Sequence, residues 1–145
     1  MKYHLVILKK RYLQAILDGR KDIESRFSRT RLAVFEQVQP GDRLFLKVSS
    51  GPVCGLATAA AVESFDQLAP EQLLTLKRRY NHRILGSETY WRSKLTCRFG
   101  LLVWLADIRR IEPVPINKKD WRAWVVLTPE EDFGLLGRIR WTDQR

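Results

Sequence analysis

The sequence predicts an α+β domain: a small, mostly antiparallel β-barrel or curved sheet flanked by two or three helices. Two observations predict it. About six segments have strand character, several at hairpin spacing around Gly and Pro turns. Helical periodicity falls between the strands without the regular alternation of a parallel α/β sheet. With 145 residues, 45% of them hydrophobic, the chain suits a single domain with a real core.

The elements follow in order. YHLVILK (3–9) is β-rich and apolar, so it reads as a buried first strand. In RYLQAILDG, Tyr12, Leu13, Ile16 and Leu17 share a helical face and Gly19 is placed to end the helix. RKDIESRFS (20–28) reads as a second strand, and QPGD (39–42) as a turn. RLFLKV and VCGLATAAAVESF form a hairpin around SSGP (49–52). Pro70 opens a helix through Tyr80. Ser87 caps a short turn through ETYWRS. FGLLVWLADIRRI (99–111) is a long central strand broken by PVP at 113–115, and WRAWVVL (121–127) is the last strand. Thr128, Pro129 and Glu131 then resemble a capped helix start. This divides the chain into a domain at 1–128 and a basic C-terminal extension at 129–145, helical at its start.

Charge is the strongest global property. Twenty-six Lys and Arg against sixteen Asp and Glu give +10. Residues 1–31 and 77–98 each carry a net +6, leaving the remainder slightly acidic. Two such segments make a basic patch that attracts polyanions. No apolar run is long enough for a membrane span, and no cleavage site follows the first strand, so neither a membrane partner nor a signal peptide is expected. Cys54 and Cys97 sit in strand-like contexts and suit free thiols in a reducing cytoplasm. His4 and His82 make no zinc spacing, and no carboxylate cluster or phosphate loop appears, so no metal or cofactor is expected.

The candidate site is GRKDIESR (19–26). It matches the G-x-K-x-x-E-x-R pattern of the ASCH family, small β-barrels of the PUA-like superfamily, and the element order across residues 3–127 is similar. The resemblance implies that the motif lines a cleft, with Lys21, Glu24 and Arg26 as its residues, and that RNA or a nucleotide is the partner. Some relatives cleave RNA, and one branch deacylates an N4-acylated cytidine. That branch carries a nucleophilic Thr where this chain has Glu24, so the chain departs from it at the decisive residue.

The residues themselves give a compatible reading. In an ideal strand Asp22, Glu24 and Arg26 share one face while Ile23 and Ser25 face the core. Lys21 points away unless the turn after Gly19 redirects it. Lys21 and Arg26 suit phosphate, and Glu24 suits a base amino group or a ribose 2′-OH. Arg29, Arg31, Arg79 and Arg92 extend the basic track, and Trp91 is a candidate stacking surface. Trp121 and Trp141 have equal claims as core or platform, whereas Trp104 and Trp124 read as core. The alternative is a metal-independent ribonuclease or modified-nucleoside hydrolase using Lys21, Glu24 and Tyr90. A carboxylate among cations is a weak base, however, and a neighbouring ammonium is a better electrostatic stabiliser than a base, which favours binding.

Overall fold

The computed structural model describes residues 1–139 and 141. The remaining positions of the basic tail, 140 and 142–145, lie outside the described residues. β1 (Tyr3–Leu8) leads through α1 (Lys10–Leu17) to β2 (Ile23–Ser28). A 3-10 turn at Ala33–Glu36 precedes the hairpin of β3 (Arg43–Val48) and β4 (Val53–Phe65). Then come α2 (Pro70–Ile84), α3 (Glu88–Ser93), β5 (Phe99–Val114), β6 (Trp124–Leu127) and the short α4 (Leu135–Arg138).

One six-stranded sheet runs in the order β2-β5-β4-β3-β1-β6. Among the described residues only the β1–β3 pair is parallel, so the sheet is mostly antiparallel as expected. The β4–β5 ladder shifts register at Val53/Gly55, Leu56/Thr58 and Ala59/Ala61. Such bulges bend long strands, and here they curl the sheet into a half-barrel. One side chain of β2 crosses the seam to β1 and to the residue that precedes β6. The Arg26 guanidinium donates to the Ile7 carbonyl at 2.8 Å and to the Ala123 carbonyl at 3.3 Å.

Both faces of the sheet are buried. Inside the curl, Val6, Leu13, Ile16, Leu44, Leu101 and Val103 form one core. Outside, Ile23, Phe27 and Leu102 pack against Leu73, Leu76 and Trp91 of the α2–α3 layer. Leu5, Phe45 and Val125 pack under the C-terminal segment, where Leu135 is fully buried.

Four details differ from the sequence reading. α2 runs past Tyr80 to Ile84, because Ile84 belongs to the second core. β5 continues through Pro113 to Val114. Among the described residues β2 pairs with β5 only as far as Trp104, so one side of the far half of β5 has no strand partner among them and a missing N–H is tolerated. β6 starts at Trp124 rather than 121, since Asp120 and Arg122 are tied in local ion pairs. No helix starts at Thr128: Thr128 and Glu131 form an isolated antiparallel bridge, and α4 begins only after the left-handed Gly134.

Candidate functional site

The site begins where α1 ends. Gly19 adopts φ +81°, a conformation that Gly tolerates best. The N–H groups of Arg20 and Lys21 then both reach the Ala15 carbonyl, at 2.9 and 3.1 Å. This tight reversal turns Lys21 inward, and the residue is only 2% exposed. Its ammonium donates to the carbonyls of Ile23 and Ile84, both at 2.7 Å, and lies 3.2 Å from Glu24 Oε1. All three of its protons therefore have protein acceptors. Ile84 closes α2, so its carbonyl is one that the helix itself leaves without a donor. Asp22 does not share the face of Glu24. It precedes the strand and makes a two-pronged ion pair with Arg83, at 2.8 and 2.9 Å. Lys21 and Asp22 together fasten the end of α2 to the start of β2.

The register explains the rest. Glu24 lies opposite Val103 and Arg26 opposite Leu101, both residues of the inner core. The expected polar face of β2 is thus a barrel interior, opened at the seam between the end strands. Glu24 is 7% exposed there and accepts from Arg26 Nε at 2.7 Å through its Oε2. The Arg26 guanidinium stacks 5.3 Å from the Trp124 ring centroid. Behind it lies a buried relay. Trp124 Nε1 donates to His4 Nδ1 at 3.0 Å, and His4 Nε2 is 2.7 Å from Asp42. Accepting at Nδ1 and donating from Nε2 fixes a neutral imidazole tautomer.

Lys21, Glu24 and Arg26 share one cleft of about 620 Å³. Ser25 and Tyr90 form another wall, their hydroxyls 2.7 Å apart. Lys9, Arg11 and Lys94 stand around it. Lys9 is also the N-cap of α1, so the positive end of that helix dipole lies at a cleft residue. Five cations and one carboxylate line the cleft.

Burial pushes the Glu24 carboxyl up, but the adjacent Arg26 and Lys21 outweigh it and hold the group below its ordinary range. Burial also raises the Tyr90 phenol; the Ser25 bond opposes the rise and the Glu24 carboxylate adds to it. Burial lowers His4 against the opposing pull of Asp42. At neutral pH the cleft floor is therefore an ionised carboxylate beside a protonated phenol. It offers hydrogen-bond acceptance at Glu24 and a positive field.

Other expected members are not brought in. Arg29 bonds Thr96 Oγ1 at 3.0 Å. Arg31 pairs with Glu36 and lies over the Phe99 ring. Arg79 and Arg92 are exposed, and none of the four lines the cleft. Trp91 is corrected most sharply. It is 3% exposed, its Nε1 donates to Asn81 at 2.9 Å, and its ring packs on Phe27 and Tyr90, so no base could stack on it. Sequence reasoning missed Lys9, Arg11 and Lys94 as cleft residues. They lie in the two basic segments, but nothing in a linear pattern shows that the segments meet.

Among the described residues, no group of three or more His, Cys, Asp or Glu is placed to hold a metal. No described helix is long and apolar enough to cross a membrane. Cys54 and Cys97 are free thiols.

No protein-family model matches the chain, and no curated protein matches it significantly. Solved structures do. The ASCH protein of Zymomonas mobilis aligns with a TM-score of 0.68 at 21% identity, covering 90% of this chain and 90% of that one. A tyrosine-to-phenylalanine variant of that protein aligns at 0.71 and 21% identity, covering 95% and 99%. A serine-to-alanine variant aligns at 0.68 and 23%, covering 90% and 91%. At this identity the likeness speaks for architecture alone: the chain has the fold of an ASCH domain.

Proposed function

We propose that this chain binds RNA or a nucleotide in the cleft around Lys21, Glu24 and Arg26. The observation that carries the reading is the convergence of these three head groups in one hollow, with Lys9, Arg11 and Lys94 beside them. Phosphate is met by the outer cations, because the Lys21 protons already have acceptors. Lys21 acts by holding Glu24 ionised and oriented. Each Glu24 oxygen keeps a lone pair beyond its ion pair, suited to a base amino group or a 2′-OH, donors that phosphate lacks. Free thiols and a basic surface fit a cytoplasmic RNA-binding protein.

Hydrolysis ranks below binding. Metal-free cleavage of RNA needs a base near neutrality, whereas Glu24 is held ionised by its cations and Tyr90 holds its proton. The test is fluorescence anisotropy with labelled single-stranded RNA and with nucleoside monophosphates, followed by a gel of the recovered RNA. Intact, retained RNA whose affinity falls with salt is the expected result. Heparin competing as well as RNA at equal charge, or no binding at low salt, overturns the reading. Shortened RNA moves the assignment to hydrolysis.

A further inference from the structure

Trp121 is 99% exposed. The other four tryptophans are packed: Trp91 and Trp124 are buried, and Trp104 and Trp141 lie half-buried against cores. Among the described residues, no hydrogen bond or ring contact uses the Trp121 indole. We infer that it is a stacking platform for a nucleobase at the mouth of the cleft, so that single-stranded RNA entering the cleft crosses it. The inference rests on the RNA reading above and adds to it a surface outside the cleft.

Two observations carry it. First, the indole is held out on a braced loop. Asp120 receives Lys118 Nζ at 2.9 Å and the Arg122 backbone N–H at 2.9 Å. Arg122 in turn pairs with Glu131 at 2.7 Å. Both neighbours of Trp121 are therefore fixed, and an aromatic presented on a rigid loop loses little conformational freedom when a base stacks on it. Second, the loop leads directly into the cleft wall. The Ala123 carbonyl accepts from the Ile7 N–H at 2.9 Å and from Arg26 at 3.3 Å, and both donors belong to cleft-lining residues. Two residues of chain, about 7 Å of backbone at most, separate Trp121 from that junction. Lys119 is exposed in the same loop and adds positive charge on the path. An exposed aromatic next to a basic channel suits single-stranded nucleic acid, because every base has a face to stack.

The experiment measures wild type, Trp121→Ala and Trp121→Phe against a uridine monophosphate and against an oligouridylate of about eight nucleotides. The expected result is about tenfold weaker oligomer binding by Trp121→Ala, unchanged monophosphate binding, and substantial rescue by Trp121→Phe. Equal oligomer affinity in wild type and Trp121→Ala overturns the platform while the cleft reading stands. Equal losses for both ligands also overturn it, since the residue would then act on the cleft itself. Failure of wild type to bind either ligand overturns both readings. A wild-type dimer that Trp121→Ala dissolves overturns the platform and assigns the indole to contact with a second copy.

Discussion

The outer cations give a quantitative handle on the cleft. Lys21 and Arg26 are largely spent: both pair with Glu24 and both donate to backbone carbonyls. That leaves Lys9, Arg11 and Lys94 to meet phosphate. Each phosphate neutralised on a single strand contributes a slope of about −0.7 to the plot of log K against log salt. Three contacts give about −2, so raising salt fourfold weakens binding by about 18-fold. The double variant Arg11→Gln/Lys94→Gln keeps one contact, and the same change then costs about 2.6-fold. Among the described residues Arg11 and Lys94 form no ion pair: Arg11 lies over the Tyr12 ring at 4.9 Å and donates to its hydroxyl at 3.4 Å, and Lys94 lies over the Tyr90 ring at 5.1 Å. The fold should tolerate their loss. The assay is anisotropy with labelled single-stranded RNA at several salt concentrations. A double variant whose slope equals that of wild type would refute the assignment of phosphate to these side chains.

Three further outcomes follow from the buried charges. Lys21→Ala removes the partner of a buried carboxylate and the donor to two buried carbonyls, so urea unfolding should show a loss of about 3–5 kcal/mol; a loss near zero would mean that the ammonium is not integral to the fold. Glu24 has a folded-state pKa below its ordinary 4.5, so it stabilises the protein above that value and the contribution is lost as pH falls through the lower folded value. Glu24→Gln should accordingly flatten the acid limb of stability against pH, and an unchanged limb would contradict the ion-pair account. His4 is also lowered, from an ordinary 6.5. The unfolded chain therefore takes up the proton first, and stability should fall as pH drops below about 6.5. His4→Gln should be flat in that window. A decline equal to that of wild type would assign the effect elsewhere.

Much of the fold was legible because the local signals agreed with one another. Gly19 marks the end of α1, Pro70 the start of α2 and Ser87 the N-cap of α3, where its side chain accepts from the Tyr90 N–H. Alternating and continuous apolar runs located the strands. What escaped was set by tertiary packing. The extension of α2 to Ile84 depends on a core residue three helical turns beyond its Leu73 contact, and the late start of β6 depends on ion pairs to Glu131. Two-sided burial of β2 was also hidden. A strand reading IESRFS looks half-exposed, yet the sheet curls so that the Glu24 side becomes an interior.

The site shows the limit more clearly. Strand periodicity brought Glu24 and Arg26 together correctly, since residues two apart share a face. The same periodicity pointed Lys21 away, and the left-handed Gly19 reverses that direction. Its acceptors decide its role, and one of them, the Ile84 carbonyl, is 63 residues distant in sequence. A motif lysine read alone suggests a phosphate contact. Read with its acceptors, it is a brace that couples the end of α2 to the carboxylate. Any variant at Lys21 therefore changes stability and site geometry together. Arg11, Lys94 and Trp121 sit outside that brace, so substitutions there separate ligand contact from folding.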